Sequence, residues 1–509
     1  MKIRKNVFFP TVLVILVFLI LYVVDAERFD RGLEFLNSSL NATFGGVYLI
    51  IALFLVIVSV LVLFSKMGKM TIGGEGAKPL LSTVNWFTVV LCTTIAAGLI
   101  FWGSSEPVFH LMAPPEFADV EPGTHASAVF SMTTMFLHWT ITPYAIYGIP
   151  ALMFAIAVYN EKKPFSFSSC ISGVFPKAGT PVSASIIDSM CVFATVMGMI
   201  ASLGQGILSI AGGITQITGN NSTKAMWTLI GVAIAIVFTL SACSGVLKGI
   251  KWISNINTGF LLALLVMVFL VGPTSYIVQL SLESFGVYVD NFFTRSLMIG
   301  AGTGSDWSYF WTISTFANWM AWAPITGMFL GKIAYGHSVR KFIAINIGAA
   351  AMCSGLWINV FGGTSIYQQL NGVEIYETMQ TAGTESAVYE MLKALPFGNI
   401  LIPLLVFAVA LSVITAADST TNVLGDLCCT VDDTGTCIDG EQQGKSNKNL
   451  NLVKIVWGLL LGSMSVIMIC FKGVAGVKMI SMIGGLPAVI LLLLSGIGLL
   501  KVTFRYLRE

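Results

Sequence analysis

The chain has 509 residues, of which 56% are hydrophobic and only 10% are charged, and its mean hydropathy is +0.85. A soluble globular protein carries about a quarter charged residues, so this composition excludes an ordinary water-soluble enzyme and indicates a surface that faces lipid. The formal net charge of +2, without a long basic run, also argues against a nucleic acid as partner.

The first predicted element follows Lys2, Arg4 and Lys5 and is an apolar run from residue 7 to residue 24. This run resembles the apolar part of a signal peptide, but the charged segment after it contains no small-residue cleavage site. We therefore interpret it as an uncleaved first membrane span.

Twelve stretches of the chain are long and apolar enough to cross a hydrocarbon core of about 30 Å, which needs about 20 residues per helix. The segment from residue 282 to residue 300 is amphipathic instead, and we predict an interfacial helix there. The predicted spans are residues 7–24, 46–65, 84–104, 127–158, 187–217, 226–247, 254–281, 307–334, 342–366, 398–421, 451–471 and 479–500.

The basic residues indicate the orientation of these spans. Lys66, Lys69, Lys162 and Lys163 fall on the same side as the N-terminus, whereas the loop 105–123 carries Asp and Glu but no Lys or Arg. Because cytoplasmic loops are rich in Lys and Arg, and an even number of spans places both termini on one side, both termini are predicted to be cytoplasmic.

Two predicted spans, the third and the eighth, stand five spans apart and contain helix-breaking residues near mid-membrane. The third contains Gly98, and the eighth contains Pro324 and Gly327. Broken helices from two repeats meet at the binding sites of many transporters. The spacing predicts two five-helix halves, 84–281 and 307–500, with two preceding helices in residues 1–83, all in one domain covering 1–509.

Ionisable residues within or beside the predicted spans are few: Glu106, Asp188 and Asp418 lie near span ends, and His138 lies in mid-span. Such residues are functional candidates by default, although hydrogen-bonded helix ends are the alternative. No Ser/His/Asp set, zinc motif or phosphate loop converges in the spans, which argues against an intramembrane enzyme, a catalytic residue or a metal centre.

Three cysteines, Cys428, Cys429 and Cys437, are predicted to lie in a polar cytoplasmic loop between residues 422 and 449. A metal site and ordinary reduced thiols are the two interpretations, and the second is favoured because no disulfide or zinc spacing is present.

Large aromatic residues concentrate in spans 4 and 8. In a continuous helix Trp139, Tyr144 and Tyr147 would lie within about 140° of one another, and Trp319 and Trp322 lie deep in span 8. Packing alone is one explanation, but the polar atoms of Trp and Tyr are poorly suited to lipid. A trimethylammonium group has no N–H donor, and ring faces attract it by about 0.5–2 kcal/mol per contact, so these residues predict an aromatic box for a methylated cation.

The same segments resemble the betaine/choline/carnitine transporter (BCCT) family. Ser314-Thr315-Phe316 and Asn318 depart from the family signature in span 8. The residues that carry the resemblance are Phe101-Trp102-Gly103 with Glu106-Pro107, His138-Trp139 with Tyr147, Phe193-Ala194-Thr195 with Ala201-Ser202-Leu203-Gly204, Trp311-Thr312, Trp319, Trp322, Pro324, Gly327 and Thr415-Ala416-Ala417-Asp418-Ser419.

The resemblance implies an all-α membrane protein with twelve transmembrane helices and LeuT-like inverted five-helix repeats, assembled as a homotrimer in a bacterial or archaeal inner membrane. It places the substrate's ammonium group among Trp139, Tyr144, Tyr147 and Trp319, with Trp322 nearby on the exit path. Choline-type members carry Asp at the position of Gly98, so glycine here favours a zwitterion such as glycine betaine.

The resemblance leaves the coupling mode open. Sodium-coupled members use hydroxyl oxygens in spans 5 and 10, where Thr195 and Thr415 match and Ala416 replaces a usual Ser. Sodium-independent exchangers of the carnitine/butyrobetaine type use a fixed Arg where Lys251 stands here, although Lys251 also fits an ordinary cytoplasmic flank. No cofactor is expected, apart from sodium as a coupling ion. The alternative function is that of a solute sensor, which binds the same solute without transporting it.

Overall fold

The structure, a computed structural model, describes residues 2–94, 97–244, 247–430 and 448–508, and most of these residues are helical. Helices dominate because a chain surrounded by lipid has to satisfy its backbone N–H and C=O groups internally. The first ten helices are α1 (Lys5–Val24), α2 (Ala26–Phe64), α3 (Thr83–Thr94), α4 (Ala97–Met112), α5 (His125–Trp139), α6 (Ile141–Ala155), α7 (Ser168–Ser172), α8 (Pro181–Thr218), α9 (Lys224–Ser244) and α10 (Leu247–Val271).

The second part of the chain is also mainly helical. Its helices are α11 (Thr274–Asp290), α12 (Phe292–Ser296), α13 (Ser314–Lys332), α14 (Val339–Ile343), α15 (Ala350–Leu370), α16 (Ile375–Ala382), α17 (Ala387–Lys393), α18 (Gly398–Cys428) and α19 (Lys448–Arg508). Short π-helical segments are Ile156–Asn160, Tyr309–Ile313 and Ala344–Ala349, and 3-10 turns are Lys66–Lys69, Glu116–Ala118, Pro176–Gly179 and Thr384–Ser386.

Eight helical segments in the described part of the chain are long and apolar enough to cross a membrane, or up to nine if a bent pair is counted as one span. The core of the molecule forms where α13 packs against α6 and α19, and where α8 packs against α18 and α19. Helix α19 is kinked at Gly473, whose φ of 54° lies in the region that favours glycine. The protein is therefore a predominantly helical, multi-pass membrane protein.

The bent pair corrects one predicted boundary. Helices α10 and α11 meet at a bend of 103°, with Gly272 and Pro273 between them. Pro273 has no backbone N–H and ends the run that we predicted to continue to residue 281. The amphipathic helix that we placed at 282–300 accordingly begins at Thr274, and a second short helix, α12, follows it.

The C-terminal end of α18 is joined to the N-terminal segment of the chain by a two-stranded antiparallel ribbon. Strand β1 (Lys2–Ile3) pairs with strand β2 (Cys429–Thr430). Cys428 therefore ends a helix and Cys429 lies in a strand, both buried, so their assignment to a polar loop was wrong. Cys437 lies outside the described residues.

Candidate functional site

Three aromatic rings surround Trp319 of α13 and form a cluster of four rings with it. Its ring centroid lies 5.7 Å from that of Trp139, 5.8 Å from that of Tyr144 and 5.0 Å from that of Tyr147. The interplanar angles of 54–73° are the tilted and edge-to-face arrangements that aromatic pairs prefer. All four side chains are buried, with exposed fractions of at most 6%, so they face the protein interior and not lipid.

A break in the fourth predicted span brings these rings to Trp319. Trp139 is the last residue of α5, Tyr144 and Tyr147 belong to α6, and Thr140 between the helices has φ −116° and ψ −119°. Our continuous helix over residues 127–158 is wrong at this point. Pro143 explains the break, because in a continuous helix its ring would meet the carbonyl of Trp139 and its missing N–H would leave that carbonyl without a partner.

Gly98 borders the same ring cluster from the start of α4. A Cβ atom on Gly98 would lie 3.7 Å from Cη2 of Trp139 and 3.3 Å from Oε1 of Gln205 on α8. Sequence reasoning missed Gln205, a buried amide in an otherwise apolar stretch of α8. An isolated amide at membrane depth requires a polar partner, and this was the available signal.

Trp322 occupies a separate position. Its indole lies against α8, where a Cβ atom on Gly198 would be 3.1 Å from Cδ1 and Nε1 of the ring. Among the described residues, the rings that contact Trp319 are those of Trp139, Tyr144 and Tyr147, and Trp322 is not one of them. Trp322 is therefore a neighbour of the ring cluster rather than one of its walls.

A buried polar network lies directly behind Trp139. The Nε1–H of Trp139 donates to Oε2 of Glu106 at 2.9 Å, while His138 Nδ1 and His110 Nε2 lie 2.5 Å and 3.3 Å from Oε1 of the same carboxylate. His138 Nε2 is 3.0 Å from the Thr312 hydroxyl. Glu106 and His138, named from the sequence as ionisable candidates and as members of the family motifs, thus belong to one cluster with His110, which sequence reasoning missed.

The same three ionisable residues form a donor set that could hold a metal ion. One ligand atom from each of Glu106, His110 and His138 lies within 4.8 Å of the others, and all three residues are buried. Direct hydrogen bonds among these side chains and from Trp139 already engage both carboxylate oxygens. We therefore interpret the cluster as a hydrogen-bonded network.

A second group of rings surrounds a lysine ammonium. Nζ of Lys478 lies 3.7 Å, 3.9 Å and 4.7 Å from the ring centroids of Trp311, Phe310 and Trp102, and it donates to the Phe310 carbonyl at 2.7 Å. These distances are those of cation–π contacts, so the rings and the carbonyl take the place of a counter-ion. The chain thus already places one of its own amino groups against aromatic faces.

The three residues predicted to bind sodium differ in whether their oxygens already take part in hydrogen bonds. The buried hydroxyl of Thr195 on α8 has no hydrogen-bond partner among the described residues. The hydroxyl of Thr415 donates to the Leu411 carbonyl at 2.7 Å, and the Ala416 carbonyl accepts from Thr420 at 2.8 Å. Thr195 therefore presents an uncommitted oxygen, which suits a cation ligand. Lys251 belongs to α10, but its side chain lies outside the described part of the chain.

Residues 6–506 match the model of the BCCT family, described as betaine/carnitine/choline family transporters. The chain belongs to this family. It is 31% identical over 494 residues to an ectoine/hydroxyectoine transporter of Virgibacillus pantothenticus, a match that covers 96% of this chain and 95% of the relative. BCCT members are transporters, so the chain is a membrane transporter and not an enzyme.

Two other relatives are glycine betaine transporters. The one from Acinetobacter baylyi is 25% identical over 505 residues, covering 98% of this chain and 73% of the relative. The glycine betaine transporter OpuD of Bacillus subtilis is 27% identical over 476 residues, covering 93% of this chain and 89% of the relative.

Proposed function

We propose that this BCCT transporter imports a small zwitterion with a methylated quaternary ammonium group, glycine betaine or a close N-methylated analogue. The observation that carries the proposal is the convergence of Trp139, Tyr144 and Tyr147 on Trp319 at centroid distances of 5.0–5.8 Å. Ring faces attract a cation that cannot donate a hydrogen bond. The names of two relatives, both glycine betaine transporters, support the same substrate class.

The rings contact one another directly, so a ligand has to separate them as it enters. Rings at these distances leave no space for a trimethylammonium group between their faces. We infer that the ring cluster opens for the substrate and closes in its absence, as alternating access around a fixed central site requires. Gly98 leaves room beside Trp139 and adds no charge, which suits a substrate that brings its own carboxylate.

A second candidate substrate is a cyclic amidinium zwitterion such as ectoine. The 31% identical relative carries that substrate in its name. An amidinium, unlike a trimethylammonium, has N–H donors that need acceptors, and the amide of Gln205 beside Gly98 supplies a polar partner at the ring cluster. Ectoine would therefore need Gln205 as a hydrogen-bond partner, whereas glycine betaine would not.

For the architecture, we propose twelve transmembrane helices arranged as inverted repeats, spans 3–7 and 8–12, after two N-terminal helices. The interruption between α5 and α6 and the kink at Gly473 support broken helices at membrane depth. We also propose cytoplasmic termini, from the distribution of Lys and Arg, and a homotrimer in a bacterial or archaeal cell membrane, from the family resemblance.

For coupling, we propose sodium symport, with Thr195 as a ligand. The support is its buried hydroxyl without a partner among the described residues. The Thr415 hydroxyl already donates a hydrogen bond and the Ala416 carbonyl already accepts one, so these two residues are weaker candidates for sodium ligands than Thr195. Sodium-independent substrate/product exchange, with Lys251 in place of the ion, is the competing mechanism.

The experiment that tests these proposals is tracer uptake into proteoliposomes containing the purified protein. We expect accumulation of labelled glycine betaine that increases with an inward sodium gradient, measured beside ectoine, carnitine, butyrobetaine and choline. Uptake that needs internal substrate but no sodium would establish exchange. Binding without flux of any of these solutes would establish a sensor, and flux of ectoine alone would select the second candidate.

A further inference from the structure

Glu106 is a buried carboxylate that touches the proposed substrate site only through Trp139. It is 1% exposed, and Oε2 accepts the indole N–H of Trp139 at 2.9 Å. Oε1 is held by His138 and His110 from the other side. Hydrogen bonds on both oxygens fix the position of the carboxylate, and the carboxylate in turn fixes the plane of the indole.

The network reaches three separate segments that line the ring cluster. Glu106 lies on α4, two turns beyond Gly98, while His138 and Trp139 end α5 at the break. Thr312, which contacts His138 at 3.0 Å, belongs to the π-helical segment that leads into α13 and Trp319. Side chains held at both ends in this way are pre-organised, so the orientation of Trp139 does not have to be set by the substrate.

The charge of Glu106 also acts on whatever lies at the indole face. An indole that donates its N–H to an anion keeps its π face free, and the anion then lies roughly 8–10 Å from a cation on that face. At an effective dielectric constant of about 20, Coulomb attraction over this distance changes affinity by about an order of magnitude. The Glu106 carboxylate attracts only the positively charged end of a zwitterion.

Among the described residues the ion-pairing partners of Glu106 are His138 and His110, which carry charge when protonated and both pair through Oε1, so neither takes the place of Trp139 at Oε2. Nζ of Lys478 is held by three ring faces and the Phe310 carbonyl. His110 contacts both groups of residues: its Nε2 is 3.3 Å from Oε1 of Glu106, and its ring centroid is 4.7 Å from that of Trp311. His110 and His138 both approach Oε1, so Oε2 is left to the indole.

We propose that Glu106 is a specificity-determining residue that acts through Trp139, orienting the indole and drawing the cationic end of the substrate to that side of the ring cluster. The inference rests on the proposed function and assigns a role to a residue that does not itself touch the substrate. It follows that the transporter distinguishes a methylated cation from an uncharged group of the same shape, and that Glu106 supplies part of this distinction.

The test compares two ligands of nearly identical shape, glycine betaine and 3,3-dimethylbutyrate, in which a carbon replaces the quaternary nitrogen. Dissociation constants are measured on purified full-length protein by intrinsic tryptophan fluorescence, with the isostere as competitor. For E106Q, which retains size and an acceptor for Trp139, we expect about a tenfold weaker affinity for glycine betaine and an unchanged or tighter affinity for the isostere. A purely structural role would weaken both ligands alike.

The matched control is E385Q, which removes another buried carboxylate, 5% exposed, that lies against Gly212 on α8 and not at the ring cluster. We expect it to leave the ratio of the two dissociation constants unchanged. An equal loss for both ligands in E106Q, or an unchanged constant for glycine betaine, would overturn the inference alone. Failure of the wild-type protein to bind glycine betaine would overturn the proposed function, and this inference with it.

Discussion

The phenol ring of Tyr147 and the indole of Trp319 lie 5.0 Å apart between centroids, the shortest of the three ring contacts that Trp319 makes in the cluster. The two residues come from α6 and α13, helices that pack against each other along their length. Because Trp319 contacts all three other rings, its removal should affect the cluster more than the removal of any other member.

We therefore expect W319A to raise the KM for glycine betaine ten- to a hundredfold, since it removes ring contacts of about 0.5–2 kcal/mol each and opens the cluster. W319F keeps a ring face and should retain part of the affinity. Radiotracer uptake into proteoliposomes measures both. W86F is the matched control, because Trp86 is fully buried and stacked on His337 at 4.0 Å, away from the cluster. Normal uptake by W319A would contradict the aromatic-box assignment.

The second prediction concerns charge selectivity at Gly98. G98D would place a carboxylate beside Trp139, with its Cβ only 3.3 Å from Oε1 of Gln205, so the amide has to move slightly. A fixed anion attracts choline, whose net charge is positive, and repels the carboxylate of glycine betaine. We expect the choline-to-betaine ratio of kcat/KM to rise by about an order of magnitude. G98N, with the same shape and no charge, should leave the ratio near that of the wild type.

The sequence identified the rings but not everything that holds them. Trp139, Tyr144, Tyr147 and Trp319 were predictable because Trp and Tyr deep in apolar spans are unusual and carry polar atoms. The break at Thr140 was also encoded, by Pro143, but a strong aromatic pattern on either side favoured one continuous helix.

Gln205 and His110 could not be found in the same way. Gln205 belongs to the site because α8 approaches Gly98, whereas His110 lies four residues after Glu106 on α4, so both side chains project from the same face of that helix. The approach of α8 depends on tertiary packing, and no spacing within one segment encodes it. The i,i+4 spacing of Glu106 and His110 was a local signal, but their meeting with His138 of α5 depends on packing between helices. The burial of Cys428 and Cys429 depends likewise on pairing with a strand at the opposite end of the chain.

The third prediction tests the sodium proposal at Thr195. T195V keeps the shape of the side chain and removes the hydroxyl that has no partner among the described residues. If that oxygen binds sodium, the sodium concentration for half-maximal uptake should rise about tenfold or more, while T195S should behave like the wild type. Sodium dependence of uptake measures the effect. An identical sodium dependence in T195V would remove Thr195 from the ion site and favour exchange.

The fourth prediction concerns the N-terminal segment. Arg4 pairs with Asp188 at 2.8 Å, donates to the Leu427 carbonyl at 3.0 Å, and its backbone N–H donates to the Cys428 carbonyl at 2.8 Å. It thereby connects the N-terminal part of α8 with the C-terminal end of α18. R4A leaves the nearly buried Asp188 carboxylate without its cation, so we expect a loss of about 1–3 kcal/mol in the free energy of unfolding.

Thermal unfolding in detergent checks this prediction, and a double-mutant cycle of R4A with D188N isolates the pair. The control is K393A, which removes the lysine of an exposed pair with Glu390 at 3.5 Å and should have little effect. Equal melting temperatures for R4A and K393A would contradict a stabilising role for Arg4.

The fifth prediction is a pH dependence of stability that arises from Glu385. This residue lies in the turn Thr384–Ser386 between α16 and α17, and its side chain is packed against Gly212 of α8. Burial raises the pKa of the Glu385 carboxyl from 4.5 to about 7. The folded state therefore binds this proton more tightly than the unfolded state does, and the stabilising contribution is complete below about pH 4.5 and is lost as the pH rises to about 7.

E385Q replaces the acid with a neutral side chain of the same size, so it should remove this pH dependence. We expect the variant to gain stability relative to the wild type as the pH rises from 5 to 8, by up to about 3 kcal/mol. Melting temperatures of the two proteins across this range measure the difference. A constant difference from pH 5 to pH 8 would mean that Glu385 ionises at its ordinary pKa, because its cover of α8 side chains and backbone opens in the folded protein to admit water.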